Sequence, residues 1–263
     1  MTAQEVAAII EAWAPLSIQE EWDNTGFCVG SPQACVKGVI TCLDVTPSVM
    51  EEAIALGANM IISHHPLIYN ELKQLCEQDE VARMVAMAIR NNLVVYSAHT
   101  NADKAVAGVS WLMADVLNLQ DIEILNPDKQ SESKAPCGMG IIGNLPVPQE
   151  VHPFLKTVVQ KFSLFCIKTS RITVPVIRRV AACGGSGSAL IPKALERGAD
   201  IFLSGDISYH HFSCADGKMI IADIGHYESE IGIVSKLTQL LSKKNLNFAV
   251  SISKNSSNPI NYF

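Results

Sequence analysis

The 263-residue sequence predicts an α/β fold built from two related lobes. Three observations predict it: the length of the chain, an internal repeat, and short apolar strands that alternate with amphipathic helices. A chain of this length lies between one large domain and two small ones. Because the repeat duplicates a complete folding unit, we expect two lobes.

The repeat aligns segment 39–63 with segment 180–204 without a gap. The two copies share a cysteine, a glycine and a serine at matching positions: Cys42 and Cys183, Gly57 and Gly198, Ser63 and Ser204. Each copy consists of an apolar strand, a polar turn, a helix closed by a Gly-Ala pair, and a second apolar strand. This order predicts a βαβ unit with a parallel strand pair in each lobe.

The lobe boundaries are predicted from composition. Segment 126–136 is polar and flanked by prolines, which is typical of a linker. Segment 228–241 carries apolar residues at helical spacing and is predicted to be one helix that packs on the first lobe. The prediction is therefore a first lobe of residues 1–125 with 225–263, and a second lobe of residues 126–224.

Composition excludes several classes of function. The net charge is -6 and no cluster of Lys and Arg stands out, so nucleic-acid binding is not favoured. No apolar run approaches the roughly 18 residues that a membrane span needs, and no basic leader opens the chain, so we expect a cytoplasmic protein. The eight cysteines form no C-x-x-C pair and predict buried reduced thiols. Only 17% of residues are charged, which suggests an oligomer.

Two histidines follow the second strand of the first copy. Strand 59–62 runs into Ser63, His64, His65 and Pro66 at its carboxyl end, where open α/β sheets bind their ligands. Adjacent residues of an extended backbone point to opposite sides. The pair could therefore serve two metal ions, or one metal ion and a proton-transfer site. Two ordinary loop histidines explain the dipeptide equally well.

A second polar cluster follows the next predicted strand, 93–97. It comprises His99, Thr100, Asn101 and Asp103. One of these residues can cap the helix predicted near 106–117. Helix capping explains one of these side chains, but it does not require His99.

A third cluster lies at a predicted helix start, where His226 and Glu230 are four residues apart and share one face. An imidazole and a carboxylate on one face form a recurrent half-site for zinc, iron, manganese, cobalt or nickel, although such pairs are also common as exposed hydrogen bonds. The three clusters together predict a divalent-metal site.

Five motifs resemble those of the NIF-three-like family, whose bacterial members are called GTP cyclohydrolase 1 type 2 homologues. They are Glu21–Gly26 (EWDNTG), Ser63–Pro66 (SHHP), His99–Asp103 (HTNAD), Ser204–Asp206 (SGD) and Gly225–Glu230 (GHYESE). The resemblance implies two interlinked lobes, each a mixed sheet with flanking helices, a dinuclear metal site in the cleft between them, and a ring-shaped homohexamer. Position 102 is Ala where the family commonly has Leu, and the chain lacks the domain that longer members insert.

The resemblance also assigns ligands residue by residue. The implied metal ligands are His64, His65, Asp103, His226 and Glu230, with His99 beside them as the catalytic candidate. Three imidazoles and two carboxylates without a thiolate favour two borderline first-row ions (Zn, Fe, Mn, Co or Ni) over calcium.

The second copy of the repeat offers candidates for substrate binding. Its turn, Gly184–Ser188 (GGSGS), joins a strand to a helix and either presents backbone N–H groups to an anion or is a tight turn that needs glycine. The candidate residues are Gly184, Gly185, Gly187, Asp206 and His210. Gly138–Gly143 matches G-x-G-x-x-G but no helix follows, which disfavours a nicotinamide site. The Trp22, Asp23 and Asn24 run either orders a turn or lines the rim of the cleft.

These residues favour a metal-dependent hydrolase that acts on a small, nucleotide-like substrate such as GTP or another phosphorylated compound. Metal-activated water would be the nucleophile, and His99 or a histidine of the second lobe would transfer protons. The resemblance implies opening of the guanine imidazole ring with release of formate, and phosphoester hydrolysis is a second enzymatic possibility. The alternative from another class is a non-enzymatic metal-binding regulatory or interaction protein with a ring-shaped oligomer.

Overall fold

The computed structural model describes residues 1–128, 135–215, 217–244 and 246–263. The chain forms two compact units, Met1–Ala102 with Ile233–Asn261 and Asp103–Gly232 with Tyr262–Phe263. Residues 129–134 of the predicted linker lie outside the described residues. The predicted lobe limits stay a prediction. Among the described residues, no helix has both the length and the apolar character that crossing a bilayer requires.

The first unit alternates helices and strands, and its last helix and strand come from the end of the chain. Its elements are α1 Ala3–Glu11, a 3-10 helix Leu16–Ile18, β1 Gly26–Val29, β2 Gly38–Cys42, α2 Pro47–Ala55, β3 Met60–Ser63, α3 Glu80–Arg90 and β4 Val94–Ser97. The short helix α4, Thr100–Lys104, crosses the boundary between the units.

The second unit begins with a helix and contains a six-stranded sheet. Its elements are α5 Val109–Leu117, β5 Gln120–Pro127, β6 Gly138–Glu150, α6 Val151–Lys161, β7 Lys168–Thr169, β8 Val176–Ser186, a 3-10 helix Ser188–Leu190, α7 Ile191–Glu196, β9 Ile201–Gly205, a 3-10 helix Tyr209–Ser213, β10 Ile220–Asp223 and α8 His226–Glu230. The chain returns to the first unit through α9 Gly232–Ser242 and β11 Ala249–Ile252.

The sheet of the first unit has the order β1-β4-β3-β2-β11. Strands β11, β2, β3 and β4 are parallel, and β1 is antiparallel at the edge. Cys42 pairs with Ser63, and Ser63 pairs with Ser97. Because β2, β3 and β4 end in register, the residues that follow them emerge at one edge of the sheet.

The sheet of the second unit has the order β5-β6-β8-β9-β10-β7. Its centre, β8-β9-β10, is parallel, whereas β5, β6 and β7 pair antiparallel. Both sheets are therefore mixed, as expected. Ser204 pairs with Asp223, so the residues after β9 and β10 also share one edge.

The structure confirms the repeat. Strands β2 and β3 form a parallel pair around α2, and β8 and β9 form one around α7. The glycine that closes each helix has a positive φ, +70° at Gly57 and +71° at Gly198, which glycine adopts without strain. Cys42 and Cys183 are buried at equivalent places in the two sheets.

Each sheet is covered by apolar side chains. In the first unit, Ile40, Ile61 and Val95 pack with residues of α2 and α3. In the second unit, one cluster joins the sheet to α5 and α6, and another joins it to α7. Apolar residues on both faces of the parallel strands are typical of α/β sheets covered on both sides.

Three expectations need correction. The helix predicted over 228–241 is two helices, α8 and α9, separated at Ile231, next to Gly232, which is a weak helix former. Burial of the cysteines holds for only part of the set, because Cys35, Cys76, Cys166 and Cys214 are exposed. The two histidines after β3 do not point to opposite sides, since their ring centroids are only 5.0 Å apart.

Candidate metal centre

His64 lies directly after β3 and is fully buried. Its Nδ1 is 2.7 Å from the carbonyl oxygen of Ala98. A carbonyl oxygen only accepts, so Nδ1 carries the proton and Nε2 of the neutral ring keeps its lone pair. His64 is therefore held in the tautomer that binds a metal ion through Nε2.

His65 and His99 are oriented in the same way by carboxylates. Nδ1 of His65 is 2.7 Å from Oδ1 of Asp44, and Nδ1 of His99 is 2.8 Å from Oδ1 of Asp23. Each Nδ1 donates to a carboxylate oxygen, which again leaves Nε2 as the atom that could bind a metal ion. Metal-binding imidazoles in proteins usually donate their other ring N–H to a carboxylate or carbonyl oxygen in this way.

The three histidines form one group within the first unit. One ligand nitrogen from each of His64, His65 and His99 lies within 4.8 Å of the other two. The expectation that His64 and His65 diverge was wrong because β3 ends at Ser63 and the extended backbone ends with it. The Ser63 hydroxyl donates to the carbonyl oxygen of His65 at 2.7 Å, which closes a turn and brings both rings to one side.

Asp23 connects His99 to the start of α4. Its side chain is fully buried, and it accepts hydrogen bonds from His99, from the backbone and hydroxyl of Thr100, and from Thr25. Burial by itself raises the pKa of Asp23, but these hydrogen bonds outweigh it and hold the pKa well below its ordinary value. The carboxylate therefore stays ionised and can hold His99 in place.

In the second unit, His226 and Glu230 lie on one face of α8, as their spacing predicted. Nε2 of His226 is 3.0 Å from Oε2 of Glu230, and the Glu230 side chain is only 4% exposed. An imidazole lone pair and a buried carboxylate at this distance need a positive charge, which either a proton on His226 or a metal ion supplies. The pair thus has the geometry that the predicted half-site requires.

Asp206 orients His226. Its Oδ2 accepts from Nδ1 of His226 at 2.7 Å and from the hydroxyl of Ser186 at 2.7 Å. Burial raises the pKa of Asp206, yet the two hydrogen bonds lower it below its ordinary value. The structure thus gives Asp206 the relation to His226 that Asp44 has to His65.

Asp103 lies on α4, and its Oδ1 atom is buried. Burial strongly raises the pKa of the Cys183 thiol, and the negative charges of Asp103 and Glu230 raise it further. Both carboxylates therefore act on the same buried thiol of the second unit. Of the candidate metal ligands, His64 and His65 lie in the first unit, whereas Asp103, His226 and Glu230 lie in the second.

The predicted glycine-rich turn begins inside β8, which ends at Ser186, and it packs on the Glu230 side chain. A Cβ atom at Gly185, where φ is +59°, would collide with Oε1 of Glu230. The backbone N–H groups of Gly184, Gly185 and Gly187 donate to the hydroxyls of Ser110, Ser229 and Ser204. These bonds use the N–H groups that an anion would need. They therefore favour the interpretation that the glycines are needed for backbone conformation and close packing.

The remaining candidates lie elsewhere. His210 is in the exposed 3-10 helix, with its ring 5.3 Å from that of Tyr209. Gly138–Gly143 lies inside β6 between antiparallel partners, which is not the strand-to-helix turn of a dinucleotide site.

Two residues of the site were missed from sequence. Asp44 was not singled out, and Asp23 was interpreted only as part of a turn or rim. One signal was available for Asp44, which follows β2 in a parallel sheet and so belongs to the edge that bears His64 and His65. Asp23 follows no such strand, and its contact with His99 spans 76 residues of chain.

The donor set fits divalent metal ions. Four histidines, His64, His65, His99 and His226, each have Nδ1 bonded to a carbonyl or carboxylate oxygen. Nε2 is then the atom that could bind a metal ion in all four, and the buried carboxylate of Glu230 could add the negative charge that divalent ions require. The described residues therefore contain groups of His, Asp and Glu that could hold a metal ion.

The structure defines a class of protein: a duplicated α/β protein with two mixed sheets, in which candidate metal-binding histidines lie at the ends of parallel strands. Residues 1–259 match the model of the Duf34/NIF3 (NGG1p interacting factor 3) family, and the chain belongs to that family. It is 31% identical, over the full length of both chains, to a GTP cyclohydrolase 1 type 2 homolog of Streptococcus pneumoniae serotype 4. It is 29% identical to the protein of that name from Clostridium acetobutylicum, covering 100% of this chain and 99% of that one.

Solved structures show the same fold. A Bacillus cereus protein related to NIF3 superposes with a TM-score of 0.90 at 24% identity, over 100% of this chain and 99% of the other. A hypothetical protein of Staphylococcus aureus superposes with a TM-score of 0.89 at 26% identity, with the same coverage.

Proposed function

We propose that this chain is a cytoplasmic, homohexameric enzyme that binds two divalent metal ions per protomer and hydrolyses a nucleotide-like substrate. The proposed ligands are His64, His65, Asp103, His226 and Glu230. One observation carries the proposal: every candidate imidazole has its Nδ1 bonded to a carbonyl or carboxylate oxygen, which leaves Nε2 as the ligand atom. Ordinary surface histidines have no reason to share this pattern.

The number of ligands supports two ions. Five nitrogen and oxygen ligands exceed what one tetrahedral ion uses, and open positions suit a catalytic site. The absence of cysteine from the proposed set favours zinc, iron, manganese, cobalt or nickel bound by nitrogen and oxygen. When bound, two such ions would supply an activated water and stabilise negative charge on the substrate.

The protein side chains would complete the chemistry. His99 is oriented by the ionised Asp23, so its Nε2 is available to accept a proton or, once protonated, to donate one. Asp206 would keep the His226 ring in place. The relatives named GTP cyclohydrolase 1 type 2 homolog support a purine nucleotide as the substrate class. Binding of substrate by Gly184, Gly185, Gly187, Asp206 and His210 stays a prediction.

The cellular setting and assembly are parts of the same proposal. All eight cysteines are free thiols, which agrees with a reducing compartment. The low charged fraction and the family resemblance support a closed hexamer. Light scattering that gives the mass of a monomer at working concentration would remove the hexamer from the proposal.

The experiment combines metal analysis with turnover. The purified protein is reconstituted with each candidate metal, its metal content is measured by elemental analysis, and the loaded protein is incubated with GTP and with a panel of phosphoesters. We expect close to two ions per protomer and turnover that is lost in a His64→Ala, Glu230→Gln double variant. Glu228→Gln is the matched control, since Glu228 lies on α8 but is not a proposed ligand.

Two outcomes would contradict the proposal in different ways. No more than one ion per protomer after reconstitution would exclude the dinuclear centre. Two ions without turnover of any substrate would leave the metal site but favour the non-enzymatic regulatory protein.

A further inference from the structure

Two exposed aromatic residues lie beside the histidine group of the first unit. Trp22 is 60% exposed and Tyr69 is 58% exposed. Their ring centroids are 6.1 Å apart, and the centroid of Trp22 is 6.2 Å from that of His99. Both contacts are edge-to-face, which is a favourable geometry for aromatic pairs.

The backbone around this aromatic pair is held in place by polar contacts. Asp23, next to Trp22, is buried and bonded to His99 and Thr100. The side-chain amide of Asn24 donates to the carbonyl oxygen of Ile68 at 2.7 Å, which ties the Trp22 segment to the Tyr69 segment. The two rings are therefore positioned before any ligand arrives, and such preorganisation lowers the entropy cost of binding.

We infer that Trp22 and Tyr69 form a stacking surface for a planar heteroaromatic ring, which in the proposed function is the base of the nucleotide-like substrate. Aromatic side chains stack on any base because every base has a π-face. The neighbouring Glu20 and Glu21 are acidic, so this surface suits an uncharged ring better than a phosphate. Stacking on Trp22 places the ring next to His99, the candidate proton-transfer residue.

The test uses guanosine, which carries the ring without a phosphate, and equilibrium dialysis of the protein as purified and after treatment with a chelator. Trp22→Ala should weaken guanosine binding about tenfold or more, given the usual contribution of base stacking on an aromatic residue. Trp22→Phe should retain most of the affinity because it keeps an aromatic face. Phe165→Ala, which removes an aromatic residue of the second unit that is 67% exposed, should leave the affinity unchanged.

Three results would overturn the inference. They are the absence of guanosine binding by the unaltered protein, equal affinity in Trp22→Ala, and a change of oligomeric mass in Trp22→Ala. The last result would assign the aromatic pair to a contact between copies of the chain. Circular dichroism and thermal melting establish that each variant is folded.

The inference rests on the proposed function only for the class of substrate, and the two can fail separately. Guanosine binding that depends on Trp22 in a protein without metal or turnover would support the stacking surface and contradict the proposed enzyme. Metal-dependent turnover, together with a guanosine affinity of Trp22→Ala equal to that of the unaltered protein, would support the proposed enzyme and contradict the stacking surface.

Discussion

In the first copy of the repeat, β3 ends at Ser63 and is followed by His64 and His65. In the second copy, the matching serine is Ser204, and Gly205 and Asp206 follow it. The strands around both serines are parallel and end in register with their neighbours. The duplicated scaffold therefore presents the same two positions at the same edge of each sheet, and the residue types at those positions determine what each copy does.

A second pair of positions shows the same division. Asp44 follows β2 in the first copy, and the gap-free alignment matches it with Gly185. Asp44 holds His65 through Nδ1, whereas Gly185 leaves the space that Glu230 occupies. The first copy thus supplies imidazoles and the acid that orients one of them. The second copy leaves room for the Glu230 side chain of α8, and it supplies an acid, Asp206, that orients His226.

The largest expected effect separates two acids of α8. Glu230→Gln should lose at least one bound ion per protomer, because only Glu230 shares a helix face with His226 and lies 3.0 Å from its Nε2. Glu228→Gln should keep the full complement. Elemental analysis of both variants after reconstitution measures the difference, and equal metal content in the two would remove Glu230 from the ligands.

The next effect tests the role of the glycine-rich turn. Gly185→Ala should destabilise the protein by more than about 1 kcal/mol, because a positive φ is combined with a collision with Glu230, and it should also lower metal content. Gly198→Ala has a comparable φ of +71° and open space around its Cβ, so it should cost about 1 kcal/mol and leave metal content unchanged. Chemical denaturation and elemental analysis supply the two readouts.

A third outcome decides whether this turn also binds phosphate. If folded, metal-loaded Gly185→Ala protein loses affinity for GTP by calorimetry while Gly198→Ala protein does not, the anion hypothesis gains support. Unchanged affinity would leave the turn with its structural role alone.

The orienting acids should have a smaller effect than the ligands. Asp44→Asn and Asp206→Asn should each weaken metal binding roughly 10- to 100-fold, the usual range when a group that holds a metal-binding histidine is changed. Asp79→Asn is the control, because Asp79 caps α3 by accepting from the N–H of Ala82. Competition with a chelator of known affinity measures the change. Wild-type affinity in both orienting variants would contradict the assigned roles.

The smallest effect concerns how the repeat helices begin. Thr46 caps α2 by accepting from the N–H of Val49, and Thr46→Ala should cost about 1 kcal/mol of unfolding free energy. Helix α7 has no side-chain cap, so Ser188→Ala, in the 3-10 helix before it, should cost at most a few tenths of a kcal/mol. Urea denaturation that gives equal costs would show that the two copies begin their helices alike.

The sequence by itself determined the repeat, the parallel strand pairs and the residues offered as ligands. The reason is local: apolar runs, Gly-Ala helix ends and polar clusters directly after strands can be identified within a few residues. The family resemblance placed His99 beside His64 and His65, and the ends of the parallel strands β3 and β4, which meet at one edge, explain why the three rings form a group.

Only the tertiary structure decided how these residues are held. The contacts of Asp44 with His65, Asp23 with His99 and Asp206 with His226 span 21, 76 and 20 residues of chain. Aspartate is common after strands and in turns, so residue type alone does not identify which carboxylate faces which imidazole. Likewise, Gly185 resembles any turn glycine until Glu230, on a distant helix, is seen to occupy the space a side chain would fill.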